Sequence, residues 1–205
     1  GKEELCGVIC GDEEATSGSL FVRGKEVHLK HPYQALAQGI LSIPKERREE
    51  SVIEDKTIYE NISMSNYKKV SSNGLISSEK EKQQAEAYLK ELAIKAPSIS
   101  QQVGFLSGGN AQKVVFARIL ASDAVILLLN HPTRGVDIGA KGEIYSLIRD
   151  ITAQGKGVIV LGDTLDECIG LSNRLLVMKD GEITKELDAS ADHKPEQVDI
   201  VKYMM

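Results

Sequence analysis

Short apolar runs alternate with polar, helix-periodic stretches along most of the chain. The clearest run, 124–129, is continuous and ends in a polar turn, which is typical of a strand buried on both faces of a parallel sheet. The same reasoning predicts further strands at 4–10, 40–43, 157–161 and 174–178, a hairpin within 18–30, and helices at 33–38, 57–64, 78–92 and 140–153. Within 106–121, a polar, glycine-rich turn is expected to open an amphipathic helix. This order of elements predicts an α/β fold with an antiparallel edge.

Two predicted helix starts carry sequence signals of their own. Thr57 and Glu60 have the spacing of a capping box. Ser107 is a favourable N-cap, and the glycines after it let the backbone approach a ligand closely. The free N–H groups of that first turn, with the positive end of the helix dipole behind them, suit a phosphate. An ordinary capped helix is the alternative interpretation.

Polar residues follow two of the predicted buried strands. Asn130 and His131 come directly after the run 124–129, and Asp163 follows the run 157–161. In open α/β sheets, ligands bind beyond the carboxyl ends of the strands. These three residues therefore stand where the chemistry of such a domain is expected.

Composition narrows the class of protein further. At 205 residues and 41% hydrophobic content, one compact domain can bury a substantial core. With 30 acidic against 25 basic residues, a general nucleic-acid role has no electrostatic support. The cysteines Cys6, Cys10 and Cys168 suit a reducing compartment, and we interpret Cys6 and Cys10 as buried apolar residues rather than metal ligands.

The order of motifs resembles the ATP-binding subunits of ABC transporters over nearly the whole chain. The resemblance rests on Leu-Ser-Gly-Gly-Asn-Ala-Gln-Lys at 106–113, Pro-Thr-Arg-Gly-Val-Asp-Ile-Gly-Ala-Lys at 132–141 and Leu-Ser-Asn-Arg at 171–174. It is strongest to the second nucleotide-binding half of bacterial ribose, xylose and galactose import ATPases. Purine-nucleoside importers are close relatives and stay an alternative.

The resemblance implies a P-loop-NTPase-like ABC ATPase domain over residues 1–205, with a mixed sheet core, an antiparallel β edge and a helical insert at about 57–118. It implies ATP and Mg²⁺ as cofactors. Lys45 falls in the segment that touches metal or water in the family. The nucleotide-binding positions that it implies in this sequence are Lys45, Ser107, Gly108, Gly109, Asn110 and Asp137.

The departures from the family pattern concern the catalytic positions. Asn130 stands at the position of the magnesium-supporting Asp, and a neutral amide supports a divalent cation less well than a carboxylate. His131 stands at the position of the catalytic Glu, and we interpret it as catalytically idle. Asp163 stands at the position of the switch histidine, where a carboxylate would repel a triphosphate.

The phosphate-loop motif Gly-x-x-x-x-Gly-Lys-(Ser/Thr) is expected between a strand and a helix. If residues 4–10 are the strand, the loop and its helix are missing between Cys10 and Gly11. Either that segment was deleted, or a mobile segment was left out of the sequence.

Taken together, these features predict the ATP-binding domain of a bacterial sugar importer, in a degenerate half that binds or sandwiches ATP with weak or no hydrolysis. A fully active transport ATPase and an ABC-like regulatory protein unconnected to transport are the alternatives. The resemblance implies a second ATP-binding domain and membrane permease subunits as partners, and a sugar-binding protein indirectly. It also implies a peripheral, cytoplasmic position on the inner face of the cell membrane.

Overall fold

A computed structural model describes residues 1–205, except for the side chain of Arg47. The strands are β1 Leu20–Val22, β2 Lys25–Val27, β3 Ile40–Ile43, β4 Ser71–Ser72, β5 Leu75–Ile76, β6 Ile126–Asn130, β7 Gly157–Leu161, β8 Arg174–Lys179 and β9 Glu182–Asp188. The helices are α1 Lys2–Cys10, α2 Pro32–Ala37, α3 Ile58–Ser63, α4 Tyr67–Val70, α5 Ser78–Glu91, α6 Gly108–Ala121, α7 Ile138–Ala153, α8 Leu165–Leu171 and α9 Gln197–Val201. A π-helical turn, Arg47–Ser51, and a 3₁₀ turn, Val103–Phe105, complete the regular structure.

The central sheet is parallel, in the order β3-β6-β7. Its middle strand β6 is the most apolar run of the chain, and Leu127, Leu128 and Leu129 are at most 1% exposed. Because β6 is covered on both faces, its pattern is continuous rather than alternating. The carboxyl ends of β6 and β7 lie side by side, with Asn130 paired to Leu161.

Residues 4–10 are helical, so the strand predicted there is wrong. Helix α1 begins at Lys2, has Glu3 and Glu4 in its first turn, and ends at Gly11, whose φ of 77° closes the helix in the left-handed conformation. Cys6 and Cys10 both face the core, because a spacing of four residues shares one face of a helix as it does of a strand. Periodicity alone cannot separate the two structures in so short an apolar run.

The strand predicted at 174–178 exists as β8, but it is not a buried strand of the central sheet. It pairs antiparallel with β9, and Val177 is its one buried residue. Strand β9 was not predicted, because its charged residues and its exposure give it little apolar pattern. The polar loop predicted at 71–78 contains the small antiparallel pair β4–β5.

The helical region at 57–121 packs as a separate layer against the sheet. Helix α3 contacts both α5 and α6, and Ile58, Ile62 and Phe116 are fully buried between them. Thr57 forms the predicted capping box with Glu60. Over the residues that the structure describes, no helix is long and apolar enough to cross a membrane.

The partly buried Arg118 connects this layer to the loop that follows β3. Its guanidinium donates to the backbone carbonyls of Ser51 and Asn61 and to the Asn61 side chain. Burial lowers the pKa of Arg118 to about 10. Carbonyl oxygens rather than a carboxylate therefore satisfy this cation.

Candidate functional site

A row of charged side chains crosses the carboxyl ends of β6 and β7. His131 Nδ1 lies 2.7 Å from Asp163 Oδ1, and His131 Nε2 lies 3.8 Å from Glu3 Oε1. Lys45 Nζ lies 2.9 Å from the same Glu3 oxygen. The Lys45 hydrogen bond lowers the pKa of the Glu3 carboxyl. The histidine thus stands between two carboxylates, with its side chain only 11% exposed.

The backbone around His131 explains this placement. Its N–H donates to the carbonyl of Leu161 at 2.7 Å, which ties the end of β6 to the end of β7. His131 has a φ of 50°, in the left-handed region that non-glycine residues rarely adopt. This turn directs the imidazole across to the loop after β7, which carries Asp163.

The buried Glu167 connects the turn after β6 to the loop after β7. Its Oε1 accepts from Thr133 Oγ1 at 2.8 Å, and its Oε2 accepts from the backbone N–H of Asp163 at 2.8 Å. Thr133 is fully buried and Glu167 is 5% exposed. Because both carboxylate oxygens are used, Glu167 fixes the loop that holds Asp163 relative to the turn that holds His131.

A cavity of about 620 Å³ opens beside this row, between α1, β3 and α6. Asn130, Lys45, Glu3 and Arg118 are among its lining residues. The buried Oδ1 of Asn130 has no hydrogen-bond partner among the described residues, so this carbonyl oxygen can accept from a ligand or ligate a cation. Three or more His, Cys, Asp or Glu side chains do not gather into a metal-binding group anywhere in the described part of the chain.

The signature turn, defined here as Ser107–Asn110, lies outside the residues that line this cavity. Ser107 is the N-cap residue of α6, as expected, but its side chain accepts no bond from the helix backbone. Ser107 Oγ instead accepts from Asn110 Nδ2 at 2.9 Å. Ser107 is exposed, so its hydroxyl is accessible to a ligand.

The structure therefore separates the predicted site residues into two groups. One group lies at the carboxyl ends of the strands of the central sheet, called the sheet edge below, and consists of Asn130, His131, Asp163 and Lys45. The signature turn forms the other group, at the start of α6. Asp137 lies with neither group through a side-chain contact: it is the N-cap of α7, and its Oδ1 accepts from the N–H of Ala140 at 3.0 Å.

Sequence reasoning missed three residues that shape this region: Glu3, Arg118 and Glu167. Glu3 was missed because the segment after it was predicted to be a strand. The acidic pair Glu3-Glu4 next to Gly1-Lys2 is, however, also a signal for the start of a helix. Arg118 and Glu167 lie within helices whose patterns gave no reason to expect a buried charge. Their partners are 67 and 34 residues away in the chain, beyond any local signal.

The comparisons with known proteins agree with this architecture. A family model for ABC transporters matches residues 1–134. The ribose import ATP-binding protein RbsA of Halalkalibacterium halodurans is 43% identical over 92% of this chain and 38% of its own length. The arabinose import ATP-binding protein AraG of Pseudomonas syringae pv. tomato is 41% identical over 92% of this chain and 37% of its own length.

Solved structures share the fold. A nucleotide-free ATP-binding cassette from an ABC transporter superposes with a TM-score of 0.80 at 22% identity, covering 99% of this chain and 83% of that one. A dimeric cassette in a post-hydrolysis state, bound to ADP and phosphate, gives a TM-score of 0.75 at 22% identity, covering 92% and 81%.

The fold and the motif order define an ABC-type ATPase cassette, and the chain belongs to the ABC transporter family. The family and fold class predicted from the sequence are confirmed. The chain spans less than two fifths of the length of the sugar-import relatives it matches.

Proposed function

We propose that this chain is an ATP-binding domain of a bacterial monosaccharide importer and that it presents its signature turn to ATP held by a second ATP-binding domain. The relatives of about 40% identity carry the names of ribose and arabinose import proteins, which supports a pentose or related sugar as the cargo. The domain would act with membrane permease subunits, at the cytoplasmic face of the membrane, and indirectly with a sugar-binding protein.

The exposed Ser107 of the signature turn is the observation that carries this proposal. Ser107 is exposed and Gly108 is partly exposed at the start of the 14-residue helix α6, whereas Gly109 is buried, so an anion can approach the positive end of the helix dipole from the side of Ser107. The turn lies outside the cavity at the sheet edge. A phosphate bound there would therefore come from outside the chain's own sheet-edge site.

We further propose that the domain hydrolyses ATP weakly or not at all at its own sheet edge. Asn130 offers one neutral oxygen, which could support Mg²⁺ directly or through water while phosphates supply the remaining ligands. His131 Nδ1 is held by Asp163 at 2.7 Å, and Nε2 faces the carboxylate of Glu3 at 3.8 Å, a gap too small to hold a water between them. The carboxylates Glu3 and Asp163 add negative charge where a triphosphate would sit.

One observation favours the alternative of an active ATPase. With residues 2–10 helical, Gly1-Lys2 at the start of α1 matches the Gly-Lys end of the phosphate-loop motif, with Glu3 in the Ser/Thr position. Under this interpretation α1 is the helix that follows the phosphate loop, and the gap proposed between Cys10 and Gly11 is unnecessary. Lys2→Ala in the full-length protein should then weaken ATP binding to this domain, measured by equilibrium binding of a fluorescent nucleotide.

The test of the main proposal is Ser107→Arg in the full-length protein reconstituted with its permease subunits in proteoliposomes. We expect ATPase turnover to be abolished, because a bulky cation fills the turn and charge-assisted contacts of roughly 1.5–3 kcal/mol each are lost. Ser77→Arg is the matched control, since Ser77 caps α5, another 14-residue helix, and its Oγ accepts from Lys80 N. Unchanged turnover in Ser107→Arg would show that this turn meets no phosphate.

A further inference from the structure

The side-chain amide of Asn110 is held in one orientation by the loop before α6. Its Oδ1 accepts from the backbone N–H of Lys95 at 2.8 Å, and its Nδ2 donates to Ser107 Oγ at 2.9 Å. A backbone N–H can only donate, so the amide oxygen must face Lys95 and the amide nitrogen must face Ser107. The contact with Lys95 therefore decides the orientation of the whole amide.

The loop that supplies this N–H is itself anchored to α6. Lys113 Nζ donates to the carbonyl of Ala93 at 3.1 Å and pairs with Glu143 Oε2 on α7 at 2.6 Å. The Lys113 side chain is only 8% exposed, whereas Glu143 is 56% exposed, so the bond to the Ala93 carbonyl is the better shielded of the two contacts. The donor that orients Asn110 is thus fixed relative to the helix that carries Ser107.

The orientation of Asn110 has a consequence for the Ser107 hydroxyl. A hydroxyl has one hydrogen and two acceptor positions, and Asn110 uses one acceptor position. No described residue accepts a hydrogen bond from Ser107 Oγ. The hydrogen is therefore left to point away from Asn110, toward solvent or a ligand that accepts hydrogen bonds.

We propose that Asn110 is a positioning residue that keeps the Ser107 hydroxyl in the donor state required to bind an anion, namely the terminal phosphoryl group of a nucleoside triphosphate. This inference rests on the proposed function, in which the signature turn meets the triphosphate of a second domain. It adds that each group donates a hydrogen bond to the next: the Lys95 N–H to Asn110, the Asn110 amide to Ser107, and the Ser107 hydroxyl to the phosphate.

The test compares Asn110→Asp with Asn110→Ala in the reconstituted full-length transporter. An aspartate still accepts from the Lys95 N–H, but it also accepts from Ser107, so the hydroxyl hydrogen turns away from the phosphate. We expect kcat to fall roughly 10²-fold, as for the loss of one preorganised donor. Asn110→Ala frees the hydroxyl without reversing it, and we expect a loss of only about 10-fold or less.

A purely structural role for Asn110 predicts the opposite order. Asp preserves the bond that fastens the 93–95 loop, while Ala removes it, so Ala would then be the more damaging change. Thermal unfolding of both variants checks that the domain is folded. If Asn110→Asp does not fold, the order cannot be compared, and Asn110→Ala combined with Ser107→Ala then decides, because a positioning role requires the two effects to be non-additive.

Ser107→Ala separates the remaining outcomes. If Asn110 acts through the hydroxyl, adding Asn110→Asp to Ser107→Ala should change kcat less than 3-fold. A full further loss in that background would mean that the carboxylate acts by repulsion, and the inference would be overturned. If Ser107→Ala lowers turnover and Asn110→Asp does not, the inference fails while the proposed function stands. If Ser107→Ala itself has no effect, the proposed function fails.

Discussion

Replacing His131 by Glu should destabilise the domain, although Glu is the residue that the family carries at this position. The imidazole lies 2.7 Å from Asp163 and 3.8 Å from Glu3. A carboxylate in its place would form a cluster of three like charges in a pocket where the native side chain is 11% exposed. Repulsion then replaces a favourable contact on both sides of residue 131.

The size of the effect follows from these distances. Two unit charges 4 Å apart interact by about 4 kcal/mol at an effective dielectric constant of about 20. Asp163 and Glu3 are 27% and 42% exposed, so solvent screens part of this repulsion. We expect His131→Glu to lower the free energy of unfolding by about 2–4 kcal/mol at low salt, and by less in 1 M salt, where the Debye length is about 3 Å.

Exchanging the two residues should restore the pair. In the double variant His131→Glu with Asp163→His, an imidazole again faces a carboxylate, and we expect a coupling free energy of about 1.5–3 kcal/mol in a double-mutant cycle. The free energies come from urea unfolding of the parent, both single variants and the double variant at pH 7. If the single effects add, or if His131→Glu costs less than about 0.5 kcal/mol, the pair contributes no stability and the reasoning is wrong.

Restoring ATP hydrolysis should also require the replacement of Asp163. Asn130→Asp with His131→Glu returns the two carboxylates of the family pattern, but it leaves Asp163 against the new base. We expect the triple variant with Asp163→His to gain roughly 10²–10⁴-fold in ATPase rate over the parent, the range of a positioned general base. A parent that already turns over as fast as the triple variant would refute the proposed impairment.

Three further predictions concern packing and titration. Gly109→Ala should lower the free energy of unfolding in urea by about 1–3 kcal/mol, because the new Cβ would lie 2.7 Å from Ala140 Cβ. Gly142→Ala, whose Cβ meets nothing within 4 Å, should raise it by up to about 1 kcal/mol, and equal effects of the two variants would contradict this. Phe116→Ala in the core should cost about 3–5 kcal/mol, and a loss below about 1 kcal/mol would mean that the core recloses. Burial raises the pKa of Cys10 from 9.0 to about 11. Because the unfolded thiol ionises first, the free energy of unfolding should fall by up to about 3 kcal/mol as the pH rises between these two values. Cys10→Ala should lack this contribution to the pH dependence of stability.

Much of the architecture was predictable because its signals are local. Strands β3, β6 and β7 and the hairpin β1–β2 follow from continuous or short apolar runs bounded by turns. The capping box at Thr57 requires only residues three apart, and helix α6 follows from its serine and glycines together with its apolar face. The burial of Cys6 and Cys10 was also predicted, since their spacing places both on one face of the segment.

The error at residues 4–10 and the position of β8 show where local signals end. The seven-residue segment 4–10, apolar after Glu4, is compatible with both a strand and a helix, and in the structure the helix packs Cys6 and Cys10 into one buried cluster. The apolar run Leu175-Leu176-Val177 predicts a buried strand. In the structure this run lies in β8, which pairs with the charged strand β9, and only Val177 is buried. Burial of a strand depends on what lies over its faces, which the strand itself does not encode.

The sequence by itself determined which residue types stand at the ends of β6 and β7 and at the start of α6. Only the tertiary structure brought His131 to Asp163, across 32 residues, and to Glu3, across most of the domain. It also showed that Ser107 is held by Asn110 rather than by the helix backbone, through a loop N–H fifteen residues from Asn110. Local propensity sets the elements, but charge pairs and hydrogen-bond directions arise where distant segments meet, so they depend on the packed arrangement of the whole domain.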